Sequence, residues 1–584
     1  MRGPRARPGS PSVAAGDGST AQVTPGERAV LAGRAGLAAT SASVATTFAV
    51  AVAGPSVMEP ALPGRPGQPP WALSLHPSAY LVVALTAAAL AAGAAGLGCC
   101  LYAARRGWAV SPGVILGAGL IAATAIALAP PFGSSDHLSY AAYGRMVATG
   151  HDPYTTTPAM LARLGDPVAR AVQDWRGSRS VYGSLATGGQ ALASLAGGTS
   201  VRLTVFVLSL VNLAAFAGTG LLLHGLTRRS RPRQLRAALL WTFNPLLLQA
   251  LVAGGHADSQ ALVFAVAAVT LFSFISPNAA GRPLPRRSLG LATLAGVAAG
   301  LAFSVKLSMA LIVVGLLIAA GLAWWPRRDR ADREPAGREP GGRQPGGNQR
   351  AREPGVAQWP RSGCHPWLLG GGLVTGFAVT AAAGFVPWGI QSLGPALRAG
   401  SYVSIGSPWR PVRSALRLLI GEQSADNLVK AAAIVLAVGL LALLGRPLLA
   451  LAGRQGGDGE PGPGLGARAW ADPAVLVPAS VLVIGLAWLF AWPYVLPWYD
   501  ALAWALLAML PWLPSPWAAL DWLVLARGAA LAAGYLPARG ITMPAGLGWL
   551  RSVVRTGVTP LILFCVIVVL VMLLWPRERD HART

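Results

Sequence analysis

The side chains of this sequence that could do chemistry sit at the ends of apolar runs. The first group opens Ser134-Ser135-Asp136-His137-Leu138-Ser139-Tyr140-Ala141-Ala142-Tyr143-Gly144-Arg145 and continues through Gly150-His151-Asp152-Pro153-Tyr154-Thr155. Asp136 lies five residues past an apolar run that ends near 131. Its carboxylate would meet a reactant held in lipid and could take a hydroxyl proton as general base. An Asp at the head of a helix would equally cap it by accepting bonds from backbone N–H groups, and residue type leaves both readings open. Tyr140, Tyr143, Gly144 and Met146 recur at helical spacing, which predicts a short amphipathic helix at the interface.

Further groups follow the same pattern. Asp174-Trp175-Arg176 to Tyr182-Gly183 combines an aromatic platform, guanidinium groups and hydroxyls, as sugar-binding surfaces do; a solvated loop around a buried Trp accounts for it nearly as well. Gly254-Gly255-His256-Ala257-Asp258 joins two short apolar runs, with His256 and Asp258 at the mouth of a hairpin that Asn244-Pro245 would widen. Ionisable groups there are costly unless paired or hydrated, which marks them as functional candidates; a turn with Asp258 capping the next helix is the plainer alternative. Lys306, between two apolar runs, would pair with a phosphate or simply snorkel. Arg410 and Arg413 flank Trp409 in a later loop, and Trp492-Pro493-Tyr494-Val495-Leu496-Pro497-Trp498-Tyr499-Asp500 reads foremost as an aromatic membrane belt.

The elements that must position these groups are membrane helices. Of 584 residues, 53% are hydrophobic and 12% charged, with a mean hydropathy of +0.51, which excludes a soluble enzyme of ordinary composition. The net charge of +25 comes from arginines in short clusters between apolar runs, a topology signal and not a nucleic-acid surface. The chain has only two lysines, Lys306 and Lys430, so each stands out. Cys99, Cys100, Cys364 and Cys565 show no metal-ligand or disulfide spacing. No P-loop or Gly-rich strand-to-helix turn occurs, which disfavours a nucleotide-diphosphate donor.

A span needs about 20 apolar residues. That ruler gives fourteen ranges, 33–54, 79–103, 108–131, 201–224, 237–254, 258–276, 288–305, 308–325, 366–388, 426–445, 473–492, 499–514, 521–537 and 557–575. Arg105-Arg106, Arg228-Arg229, Arg286-Arg287, Arg327-Arg328 and Arg577 then fall on one side, which the positive-inside rule makes cytoplasmic together with both termini. Arg539, Arg551 and Arg555 resist this count, and 538–556 reads as an interfacial segment. The expected organisation is a disordered cytoplasmic tail at 1–28, three spans within 29–131, an outer catalytic loop at 132–200, spans within 201–326, a disordered Arg/Pro/Gly linker at 327–361, spans with outer loops within 362–576 and a tail at 577–584. A second Gly/Pro-rich stretch, 454–466, reads like the linker.

The run from Asp136 to Ala159 resembles the first outer loop of actinobacterial polyprenol-phosphomannose-dependent α-1,6-mannosyltransferases of lipomannan synthesis, in the glycosyltransferase C superfamily. Asp174 to Gly183, Gly254-Gly255-His256, Lys306 and Pro493 to Tyr499 are similar to that family too, so the resemblance covers most of residues 80–515. Ser184 stands where the pattern has Pro, and Ala257 where it has Asn. The resemblance implies an all-α polytopic membrane protein of glycosyltransferase C type with about 12–14 membrane helices. It implies a polyprenyl phosphomannose donor, a mannan or phosphatidylinositol-mannoside-type acceptor, and a plasma-membrane site on the extracytoplasmic face with Asp136 as base.

On this reading Asp136 deprotonates an acceptor hydroxyl in a single inverting displacement, and no general acid is needed because phosphate leaves readily. Lys306, Arg410 and Arg413 are candidate cations for the phosphate. Tyr140, Arg145, His151, Asp152, Arg176, Tyr182, His256 and Asp258 are candidate substrate contacts. Neither a metal nor another cofactor is expected, and no nucleic acid. A different polyprenyl-phosphate sugar or acceptor, as in arabinosyl or protein O-mannosyl transferases, fits the same chemistry. A transporter or lipid flippase would instead show internal repeats and ionisable groups at mid-membrane.

Overall fold

The computed structural model describes residues 24–275, 286–323, 366–454, 472–537 and 543–575, and every regular element in them is helical. The expected linker at 327–361, the stretch 455–466, the C-terminal tail 577–584 and all but the last five residues of the 1–28 tail lie outside the described residues. Helices α1 (Pro25–Ala53), α2 (Ala79–Arg105) and α3 (Pro112–Leu128) lead into four short ones, α4 (Asp136–Ala148), α5 (Pro158–Arg163), α6 (Pro167–Arg170) and α7 (Ser184–Gly197). Then come α8 (Val201–Leu226), α9 (Arg231–Leu240), α10 (Pro245–Leu247), α11 (Asp258–Ser273), α12 (Arg286–Val305) and α13 (Ala310–Ala323). The last part comprises α14 (Pro366–Phe385), α15 (Gly394–Ala399), α16 (Trp409–Ile420), α17 (Glu422–Arg454), α18 (Pro473–Ala491), α19 (Ala501–Met509), α20 (Leu520–Gly534) and α21 (Thr559–Leu574).

Local sequence fixes the helix starts. Ser78 and Ser200 accept the N–H groups of Leu81 and Leu203 as N-caps of α2 and α8, and Pro occupies the first turn of α1, α3 and α18. Asn244 caps α10 by accepting from Leu246 and Leu247. Its Pro245 ends the preceding helix, as expected, and the chain resumes through a π-helical turn, Leu248–Ala253, that delivers Gly254 and Gly255. Such turns often sit beside functional loops.

Among the described residues nine helices are long and apolar enough to cross a membrane, and three shorter apolar helices accompany them. Each of the fourteen apolar ranges contains helix among the described residues, but α19 has 9 residues and α20 has 15, too short for a 30 Å core. All nine residues of α19 are buried inside the protein. Its apolar composition reflects a protein core, which a hydropathy ruler cannot tell from lipid. Part of the segment 538–556, read as interfacial, lies in the π-helical stretch Leu550–Val558, which runs on into α21 within a 30-residue candidate span, Ala545–Leu574.

A buried short helix still has orphan C-terminal carbonyls to satisfy. Arg236 donates to Leu507 O at 2.9 Å, Arg233 to Met509 O at 2.8 Å, and Arg105 to Leu513 O at 3.1 Å. Arg236 also pairs with Asp521 at 2.5 Å, both side chains almost wholly buried. Arg233 and Arg236 of α9 therefore hold the end of α19, and Arg105 at the end of α2 holds the chain just beyond it. Arg236→Met strands the Asp521 carboxylate and is expected to cost about 3–5 kcal/mol. Thermal unfolding of the purified protein should show a large loss for Arg236→Met and substantial recovery in Arg236→Met/Asp521→Asn.

Candidate active site

At the opposite end of the bundle, α3 delivers the chain to Asp136, and the polar loop folds back as α4 to α7. Two glycines let its backbone pack this closely: a Cβ at Gly144 would lie 2.0 Å from Gln190 O in α7, and one at Gly183 would lie 2.2 Å from Ser304 O in α12. Gly183 N also donates to Val305 O at 2.9 Å. Tyr182 is thereby fixed against the end of α12, beside Lys306.

A cavity of about 810 Å³ opens there, within the ordinary range for ligand sites. Asp136, Tyr140, Tyr143 and Tyr182 line it on the loop side, Lys306 at the end of α12, and Trp488, Trp492, Tyr494, Trp498, Tyr499 and Tyr535 on the far side. Its cations are Arg179, Lys306, Arg398 and Lys430. Both lysines of the chain are thus in one site, although the apolar runs that carry them are far apart in sequence.

Asp136 begins α4, but its carboxylate turns away from the helix and into this site. The Trp175 indole N–H hydrogen-bonds to it, and its Oδ2 lies 3.6 Å from His256 Nδ1. Burial, then the neighbouring Asp174 carboxylate, push its pKa up to about 6; the Trp175 bond pulls against them, Asp258 adds to the rise, and Lys306 opposes it. Trp175 pays for its position with a left-handed backbone, φ 61°, a conformation that strains a non-glycine residue and clusters at functional sites. Ser178 N donates to its carbonyl at 2.9 Å and keeps the turn closed. Asp174 in turn accepts a short bond from the Ser135 hydroxyl.

Lys306 is not the solitary ammonium its sequence setting implies. It pairs with Asp258 at 2.5 Å and sits 3.6 Å from the centre of the Tyr499 ring, an arrangement that keeps a cation charged at the cavity wall. Tyr182 donates to Tyr140 at 3.0 Å, and Tyr140 reaches His256 Nδ1 at 3.4 Å. His256 lies just behind the wall, its ring stacked on Trp498 at 3.4 Å between centroids. Ala257, where the family pattern has Asn, is buried beside Tyr140.

Asp136, Tyr140, Tyr182, His256, Asp258 and Lys306 therefore come together. The remaining candidates do not reach the cavity wall. Arg145 bonds Asp166 at 2.7 Å, the Asp that caps α6. His151 meets Thr149 Oγ1 at 3.1 Å, and Asp152 accepts Tyr154 N at 2.8 Å, so both serve turns of the loop. Arg176 is exposed, with its carbonyl held by Ala159 N. Arg413 makes a two-pronged pair with Asp426 at 2.5 and 2.8 Å, and Arg410 lies half-buried in the first turn of α16. Sequence reasoning included Arg179 only within the Asp174–Gly183 run and passed over Arg398, Tyr402 and Tyr535 as site residues. For Lys430 the signal was present, as the second of two lysines. Among the described residues no three His, Cys, Asp or Glu side chains group so as to hold a metal ion.

The helical body is that of a polytopic membrane protein, and among the described residues it carries a large aromatic, carboxylate-bearing cavity where α4 and the end of α12 meet. Residues 34–323, just under half of the chain, match the family model described as α-(1→6)-mannopyranosyltransferase, N-terminal domain. It is 30% identical over 216 residues, 34% of its own length and 37% of the relative's, to a protein of Mycolicibacterium smegmatis described as a probable α-(1→6)-mannopyranosyltransferase. It is 31% identical over 147 residues, 25% of its own length and 24% of the relative's, to α-(1→6)-mannopyranosyltransferase B of Corynebacterium glutamicum. The matches thus span well under half of either relative. No solved structure matches the chain. The family match takes in Asp136, Tyr182, His256 and Lys306, and it ends before the half of the cavity built by Arg398, Lys430 and the 492–499 loop.

Proposed function

We propose that the chain transfers mannose from polyprenyl phosphomannose to a hydroxyl of a mannan or phosphatidylinositol-mannoside-type acceptor, forming an α-1,6 linkage by one inverting displacement on the extracytoplasmic face of the plasma membrane. The observation that carries this reading is Asp136: a carboxylate with its pKa near 6, reachable from an aromatic cavity that also holds four cations. A base titrating close to neutrality is ionised at pH 7 and still basic enough to take a proton in the transition state.

In the reaction the acceptor oxygen bonds to the anomeric carbon as its proton passes to Asp136. The bond from that carbon to the phosphate oxygen breaks, and its electron pair leaves on the lipid phosphate. Lys306, Arg398 and Lys430 are the groups that would neutralise the departing charge. Tyr and Trp rings supply apolar faces for sugar rings and for the first isoprene units. The face is supported by the arginines of α2 and α9, which lie at the end of the bundle away from the cavity.

The test is transfer itself. Membranes carrying the chain are incubated with labelled polyprenyl phosphomannose and a mannan acceptor, and the product linkage is determined. New α-1,6-linked label is expected, with polyprenyl phosphoarabinose giving none. Transfer from the arabinosyl donor instead, or another linkage, overturns the reading.

A further inference from the structure

The contact between His256 and Asp136 has the form of a salt bridge, yet the histidine is a poor cation. Burial first, then the charges of Lys306 and His137, push its pKa well below the ordinary value. A neutral imidazole carries one proton on one of two nitrogens, and its surroundings choose which. The ring has little freedom: Trp498 stacks on one face, and a Cβ at Gly254 would come within 2.7 Å of its Cδ2. Nδ1 is thereby aimed between Asp136 Oδ2 and Tyr140 Oη, at 3.6 and 3.4 Å. Tyr140 Oη accepts from Tyr182 and keeps a proton of its own to donate, whereas an ionised carboxylate is all acceptor and is the partner that calls for a proton on Nδ1.

We propose that His256 is the positioning residue of Asp136: Nδ1–H donates to Oδ2 and fixes the direction in which the carboxylate faces the cavity. The contact is long, of the kind that tightens when reactants bind. The bond also opposes the neighbours that disfavour ionisation. Asp136 faces Asp174 from its own loop and Asp258 from the head of α11, with Lys306 at the end of α12 and Tyr140 and Tyr182 beside it. Tyr494 and Tyr535 lie within range of its charge. Of these only Lys306 and Trp175 favour the carboxylate, so a third partner on the imidazole side has a measurable share.

The inference rests on Asp136 as the reacting carboxylate, but its test reads Asp136 without assuming a reaction. The melting temperatures of the wild type and Asp136→Asn are compared from pH 4 to 9, and the midpoint of the Asp136 titration in the folded protein is read from the pH at which their difference levels off. In a His256→Phe background, which keeps a ring on Trp498 and deletes the donor, the midpoint should rise by about one pH unit. His256→Asn, which keeps a donor near the Nδ1 position, should leave it in place. Should His256→Phe give no folded protein, Trp498→Leu frees the ring and should move the midpoint the same way. An unmoved midpoint in His256→Phe, or equal movement in His256→Phe and His256→Asn, overturns the proposal. If the midpoint moves while the acid limb of mannosyl transfer stays where it was, the positioning role stands and Asp136 as the base falls.

Discussion

Asp136→Asn should lower mannosyl transfer by roughly 10²–10⁴-fold and, above about pH 6, make the protein harder to unfold. The two effects share a cause. Burial and the facing carboxylates of Asp174 and Asp258 hold the carboxyl up at about 6, against 3.8 for the free group. A group raised on folding contributes stability that is complete below its unfolded pKa and is lost as the pH climbs through its folded one. Ionised Asp136 is therefore a liability that the wild type carries from near pH 4 upward and carries in full above about 6. Asparagine has nearly the same shape and no charge, so the difference in stability should grow over that window and then level, at about 3 kcal/mol. Transfer by the wild type should fall tenfold per pH unit well below 6, as the base is protonated. Unfolding curves and labelled-mannose assays at matched pH check both halves. Near-normal transfer by Asp136→Asn would remove Asp136 from the reaction.

The position of Asp136 was legible from sequence because a carboxylate just past an apolar run has few places to go. Its poise was not, since it depends on Asp174, Asp258 and Lys306, which the fold gathers from three separate stretches. The aromatic run 492–499 misled for a related reason. Trp and Tyr after a span have the same composition whether they anchor in lipid or line a site, and only the fold reveals Trp498 on His256 and Tyr499 under Lys306. Arg413 looked available beside Trp409 until α17 brought Asp426 to it. The long apolar helices were visible as apolar ranges, whereas α5 to α7, α15 and α16 were not. What hydropathy could not say is that α19 is wrapped in protein, because lipid and a helical core ask for the same residues. Arg105, expected to mark topology, turns out to hold the chain just past α19 through Leu513 O, and Arg233 and Arg236 hold α19 itself, roles no charge count contains.

Lys306 offers the second large effect, and there two consequences must be separated. Lys306→Met removes the cation bonded to Asp258, which is itself buried and has no room to hydrate. Breaking such a pair from one side costs about 3–5 kcal/mol, so the variant should melt far below the wild type. Lys306→Met/Asp258→Asn removes both charges and should recover most of that loss, since a neutral amide tolerates the site. Activity should not recover with it. Lys306 also favours the ionised form of Asp136 and stands in the cavity wall where phosphate charge would develop. Removing Asp258 as well relieves a repulsion on Asp136, so the acid limb of the double variant should lie close to that of the wild type. A kcat that stays down by about 10²-fold or more at a pH where Asp136 is fully ionised then belongs to the lost cation alone. Recovery of kcat together with stability would make Lys306 a structural partner of Asp258 and leave the phosphate to Arg398 and Lys430.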